Sequence, residues 1–320
     1  MTCKVCGQAG QHQTHQVREM MFGYREWFTY LECSNCGCLQ IAEIPADLSK
    51  YYPASYYSFT RLPVAKDHGR AYRLMKKIRD CYAIRGRGLL GKWLYQKFPN
   101  EPLRSLAGVK DLKKDARILD VGCGSGALLW DLRNLGFGNT LGVDPFLERD
   151  FEFANGLRIL KRPFFEVDGT WDLIMFHHVL EHLADPVETL RHTARLLSAH
   201  GTCLIRTPTV SSYAWEHYGT NWVQLDAPRH LFVHSIKSIE ILASRVELEI
   251  ENISYDSNAF QFWGSEQILR DIPLTSEQSY AVNPSASIFE AAQMKVFKKE
   301  AKDLNLSKRG DMAAFYLRKA

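Results

Sequence analysis

The chain of 320 residues has no run of about 18 uninterrupted apolar residues, so no segment reads as a membrane-spanning helix. Its opening, "MTCKVCG", lacks the charged-then-apolar layout of a secretory signal. These absences give the expectation of a cytoplasmic protein, touching the inner membrane surface only by peripheral contact. Charge of one sign is also scarce. The formal net charge of +4 is small for this length and argues against nucleic acid as the partner. Internal repeats and low-complexity tracts are missing as well. What is present is an apolar fraction of 46%, enough for a full core with an appendage.

Four of the eight cysteines form two Cys-x-x-Cys pairs, Cys3/Cys6 and Cys33/Cys36, rather than the scattered pattern of a disulfide scaffold. A segment of about 40 residues has little core of its own, and two knuckles near turn-forming glycines suit a tetrahedral, structural zinc. Cys38 is a spare thiol that could replace Cys36. Residues 1–45 therefore read as a zinc-binding module, and 46–115 as an aromatic linker and a basic helical segment. In the linker, "YYPASYYSF", Tyr56 and Tyr57 are candidates to reach a substrate, against a plain packing role. From Ala71 to Lys97, apolar residues at helical spacing alternate with basic ones around "RGRG", predicting two basic amphipathic helices. A solvated face is the ordinary reading of such a pair; anionic lipid headgroups or a phosphorylated substrate are the functional ones.

From 116 onward strand and helix alternate, with strands expected at 116–121, 139–143, 157–160, 171–176 and 201–206. Helices are expected at 126–135, 146–154, 186–198 and 235–245. This rhythm predicts an α/β, doubly wound, mostly parallel sheet. A strand at 246–255, a cap insertion over 256–309 with a helix near 286–304, and a last strand complete 116–320. The loop in "ILDVGCGSGALL" carries Gly122, Gly124 and Gly126, one residue tighter than a dinucleotide fingerprint. Asp120 just before it would repel a diphosphate and favour a cationic ligand. Asp144, 20 residues past Gly124, stands where an acid accepts from ribose hydroxyls.

With "LGVDP", "WDLIMFHHVLEHLADP" and "GTCLIRTP" following in order, the chain resembles the class I S-adenosylmethionine-dependent methyltransferases, which have a Rossmann-like sheet. The resemblance implies that Asp120, Gly122, Gly124 and the adjoining Gly126 border the donor, that Asp144 holds its ribose, and that His177 and His178 line its pocket. The zinc module, "YYPASYYSF" and "LDAPRHLFVHS" narrow the likeness to a zinc-containing branch associated with polysaccharide and sugar modification. That implies O-methylation of a saccharide, nucleotide- or lipid-linked. Deoxysugar C-methylation, RNA or quinone-precursor methylation, and a non-catalytic zinc interaction module are the alternatives. Removing the proton of an acceptor hydroxyl calls for a base, and His230 is the candidate; Arg229 could steer an anionic acceptor and Trp222 could stack on a sugar. Alternatively His178, Glu181 and His182, with His230, could hold a divalent ion that acidifies the hydroxyl.

Overall fold

The computed structural model describes residues 1–53 and 69–320; Tyr56 and Tyr57 lie outside the described residues. The Cys-rich segment forms two equivalent turns. The amide of Gly7 donates to the Cys3 carbonyl at 2.9 Å and that of Gly37 to Cys33 at 2.8 Å. Between and after them run β1 (Gln13–Arg18), β2 (Trp27–Glu32) and β3 (Leu39–Ile41), an antiparallel meander.

The basic segment is a helical hairpin, as its periodicity predicts: α1 (Arg70–Arg85) and α2 (Leu89–Lys97), followed by a short α3 (Glu101–Ser105). Gly86 ends α1 in the left-handed region, its amide capping the Tyr82 carbonyl. Gly91 lets α2 lie against α1, since a Cβ there would come within 2.6 Å of the Tyr82 Cβ.

The large sheet begins with β4 (Arg117–Val121), α4 (Ala127–Asn134), β5 (Asn139–Val143), β6 (Phe151–Glu152), β7 (Arg158–Leu160) and β8 (Trp171–His177). It continues through α5 (Pro186–Leu196), β9 (Leu197–Pro208), α6 (Tyr213–Tyr218), β10 (Phe232–Val233), α7 (Ile236–Ser244) and β11 (Leu248–Tyr255). The cap supplies α8 (Phe260–Leu269) and α9 (Ala291–Leu306), and β12 (Met312–Lys319) closes the chain. Strand order is β11-β12-β9-β8-β4-β5-β7-β6, with β9, β8, β4, β5 and β7 parallel.

Continuous apolar runs make these central strands because both faces of the sheet are covered. Alternation then divides them. Ile118, Leu173, Met175 and Leu204 enter one core beside Leu129 and Leu132 of α4, while Leu119, Ile174, Phe176, Cys203 and Ile205 enter the other beside Leu190 of α5. The expected helix at 146–154 is not formed. Pro145 precedes a turn, and Phe151 and Phe153 instead extend along the edge, Phe153 lying edge-on to Trp130 at 5.6 Å. The cap helix is shorter than expected, starting at Ala291 because Asn283 and Pro284 open a separate short turn.

β10 does not join the large sheet. It pairs antiparallel with β3, Phe232 opposite Gln40 and Val233 opposite Leu39, as the fourth strand of the small sheet. The small module and the large domain thus share a sheet, across the boundary drawn at residue 45.

Candidate functional site

The chain turns from β5 and β7 back across β4 to β8, so a crevice opens at the C-terminal ends of β4 and β8, where open α/β sheets bind ligands. The glycine loop lines it. Gly122 has φ +66 and a Cβ there would stand 2.5 Å from Val179; Gly126 has φ +74 and a Cβ there would stand 2.1 Å from Ile159. Only glycine allows both the left-handed backbone and that approach. Asp144 orients the loop, its carboxylate accepting from the Gly124 amide at 3.0 Å and the Phe146 amide at 2.9 Å. Asp120 is buried at the end of β4, and burial together with the neighbouring Asp144 charge pushes its carboxyl up to about 8. Two neighbouring buried acids call for a cation. His177, next to them on β8, has both ring nitrogens buried without a hydrogen-bond partner, and burial holds it neutral. An orphaned buried donor and acceptor of this kind fits a site that a polar ligand completes. The sulfonium and ammonium charges, ribose and amino-acid end of S-adenosylmethionine suit this donor set.

Beyond β8 the backbone turns at His178, whose φ of +56 is unusual for a side-chain-bearing residue and is held by its amide donating to the Arg206 carbonyl at 2.8 Å. The His178 ring meets Arg206, which is itself paired with Asp256 at 2.5 Å. This turn places Glu181 and His182 opposite His230 from the loop before β10. Their ligand atoms lie within 4.8 Å of one another. The His182 Nδ1 is 2.8 Å from the Arg229 carbonyl and the His230 Nδ1 is 2.8 Å from the Gln224 carbonyl. Carbonyls only accept, so both Nδ1 atoms carry the hydrogen; among the described residues neither Nε2 makes a hydrogen bond, that of His230 lying 3.8 Å from the Asp226 carboxylate. Glu181 is fully buried. It accepts from Thr207 at 3.0 Å, and its second oxygen has no hydrogen bond, the His178 Nδ1 standing 3.4 Å away. Burial would push this carboxyl up, yet His178, His182 and His230 hold it below the ordinary carboxylate range.

Cys3, Cys6, Cys33 and Cys36 converge, with Cys3 and Cys36 sulfurs 3.7 Å apart and Cys6 and Cys33 sulfurs 3.5 Å apart. A tetrahedron of thiolates around zinc has sulfur separations of about 3.8 Å. Cys38 is outside the cluster, a buried thiol against His234 at 3.7 Å. The module also braces the loop that carries His230: Tyr30 donates to the His230 carbonyl at 2.7 Å, and Ser235 to that of Cys36.

Two expected acceptor contacts do not hold. Trp222 is core, 1% exposed, its indole donating to Asp311 at 3.0 Å, which leaves no face for a sugar. The Arg229 guanidinium is buried in an ion pair with Asp226 and over the Phe22 ring, so it orders the loop instead of meeting an anion. Two other aromatic residues join the site: Tyr52, from the linker whose tyrosine hydroxyls the sequence offers to it, and Phe146, which the sequence does not single out. Tyr52 stacks on Phe146 at 6.4 Å, and its hydroxyl lies 3.2 Å from the His182 Nδ1, so it spans from the Asp144 side of the crevice to the histidines. The one available signal was the pair of aromatics beside "LGVDP" and the linker.

Ubiquinone biosynthesis O-methyltransferase of Xanthomonas oryzae pv. oryzae is 26% identical over 224 residues, 61% of this chain and 91% of the relative. The protein of the same name from a Caulobacter species is 35% identical over 121 residues, 33% of this chain and 47% of the relative. Among solved structures, a cyclopropane synthase from Mycobacterium tuberculosis aligns with TM-score 0.42 at 16% identity, covering 65% of this chain and 80% of that one. An S-adenosylmethionine-dependent methyltransferase from Mesorhizobium loti aligns with TM-score 0.41 at 15% identity, covering 65% and 94%. The pattern of a family described as a methyltransferase domain matches residues 93–253, half of the chain, from α2 through the glycine loop and the histidines into β11. The chain belongs to that methyltransferase domain family and is an S-adenosylmethionine-dependent methyltransferase with the class I, Rossmann-like fold.

Proposed function

We propose that the enzyme O-methylates a phenolic hydroxyl on a quinone precursor, with zinc held by Cys3, Cys6, Cys33 and Cys36 as a structural brace. The observation that carries this reading is the pair of imidazoles, His182 and His230, each tied through Nδ1 to a carbonyl and with an Nε2 that makes no hydrogen bond among the described residues. An imidazole is a weak base, far better matched to a phenol than to the much less acidic hydroxyl of an alcohol. Burial and the neighbouring His230 weaken His182 further. These bases therefore suit a phenol better than a sugar hydroxyl, and the names of the ubiquinone relatives point the same way.

The donor supplies an electrophilic methyl on a sulfonium. The residues of this chain align the acceptor oxygen with it and take the proton on Nε2 of His230, while Nδ1 stays tied to the Gln224 carbonyl. A second, metal-assisted reading is favoured by the same cluster. Glu181, His182 and His230 would hold a divalent ion that acidifies the phenol, both imidazoles being fixed through Nδ1 as metal ligands commonly are.

The test is label transfer from the donor to catechols with and without a prenyl tail, and to nucleotide sugars, with Mn2+, Mg2+ or Zn2+ added in turn. Label in the catechol alone is expected, with His230→Ala lowering turnover about 100-fold or more. Label in a nucleotide sugar instead would overturn the acceptor class. Turnover independent of every added ion, with a pH profile that His230→Ala flattens, would select the metal-free base.

A further inference from the structure

Among the described residues, the α1–α2 hairpin makes its hydrogen bonds to α3, through Arg104 and the Ala83 carbonyl, and to α4, through Lys76 and Asp131. Between Arg70 and Phe98 it carries nine basic residues and one acid, Asp80, which is buried between Lys76 and Arg79. The remaining cations are unneutralised within the hairpin, and Arg85, Arg87 and Lys92 at its turn are exposed. Beside them stand apolar side chains that packing does not use. Gly91 and Tyr95 of α2 meet Tyr82 of α1 and Leu94 is buried, whereas Leu89 is 88% exposed, Leu90 55% and Trp93 49%. Leu89 and Trp93 lie one helical turn apart on one stripe, and Lys97 at its far end lays its ammonium 4.2 Å from the Trp93 ring centre. Arg85 also lines an apolar-floored cavity of about 410 Å³ whose only charged lining residues are Arg85, Lys113 and Lys114. It lies under the opposite end of the sheet from the donor loop, since Lys114 precedes β4 and Phe137 precedes β5.

A leucine pair ringed by cations is the chemistry of an interfacial anchor: the apolar tip enters the acyl boundary and the cations meet acidic headgroups. A single-stranded nucleic acid would use the charge and Trp93 but would gain nothing from two protruding aliphatic side chains. Among the described residues no helix is long and apolar enough to cross a membrane, so the contact is with one leaflet. We propose that this hairpin seats the enzyme on an anionic phospholipid surface, with Leu89 and Leu90 inserted and Arg85, Arg87 and Lys92 on the headgroups. The proposal does not depend on the acceptor assigned above.

The test is co-sedimentation of the full chain with vesicles of phosphatidylcholine alone and with about one third phosphatidylglycerol. Binding to the anionic vesicles alone is expected, weakened by salt, with each of Arg87→Glu and Lys92→Glu lowering partitioning about fivefold or more. Leu89→Glu with Leu90→Glu should lower it about tenfold or more. The same variant should keep the parent's affinity for S-adenosylhomocysteine and its melting temperature, because both leucines are exposed. No sedimentation with anionic vesicles, or a double leucine variant that sediments like the parent, overturns the proposal. Retention of single-stranded RNA unaffected by the leucine changes, without vesicle binding, would assign the surface to a nucleic acid instead.

Discussion

Asp120 ends β4 with its carboxyl buried beside Asp144 and raised to about 8, against about 3.9 in an unfolded chain. Between those values the folded protein holds a proton that the unfolded chain has lost, so this residue's contribution to stability falls as pH rises across the window and levels off above about 8. A cationic donor reverses the preference by favouring the carboxylate. Binding of S-adenosylmethionine should then release a proton below pH 8, and affinity should rise by up to about tenfold per pH unit between pH 6 and 8. Calorimetry in two buffers of different ionisation heat reads that proton directly. Identical heats in both buffers would remove Asp120 from the donor site, and Asp120→Asn should abolish the difference while weakening binding. Such residues were legible in the sequence because strand, loop and acid are contiguous. Trp222 and Arg229 were not: their types suggest ligand contact, but Asp311 and Asp226 satisfy them inside the protein, and nothing local announces those partners.

The elements around the crevice are set by short signals of unequal strength. At α5, "DP" is a strong one: Asp185 accepts from the Glu188 amide at 2.9 Å and Pro186 occupies the first helical turn. Asp185→Ala should cost about 1 kcal/mol in urea unfolding and leave donor affinity unchanged, since α5 packs behind the site. A loss of donor binding together with that change would mean that the Glu181–His182 turn depends on the cap. At 146–154 the signal was ambiguous. Charged and aromatic residues mimic a helical face there, but the turn at Asn155 and Gly156, with φ +77, folds β6 back on β7. Two-residue strands such as β10 have no periodicity to read at all, which is why the pairing of the His230 loop with the small module is not legible in the sequence.

At the scale of the whole molecule, the small module is part of the machinery that positions the histidine loop. β3 pairs with β10, Tyr30 holds the His230 carbonyl, and Arg245 reaches the Val5 carbonyl at 2.7 Å. The cap joins too, Leu274 donating to the Met20 carbonyl at 2.9 Å. Cys36→Ser should therefore lower turnover and thermal stability together, and a variant that melts early yet turns over normally would separate the module from the loop. Those contacts link residues some 200 positions apart, and no spacing rule reaches that far.

The shared strand also makes two distant occupancies partners. If zinc in the thiolate cluster favours the arrangement of β10 that presents His230, then whatever fills the crevice and favours the same arrangement must hold zinc more tightly, by the same factor in each direction. Zinc transfer to a colorimetric chelator should slow when S-adenosylhomocysteine and a catechol are both bound. The strength of a metal site far along the chain from the glycine loop would then report how well the enzyme grips its reactants.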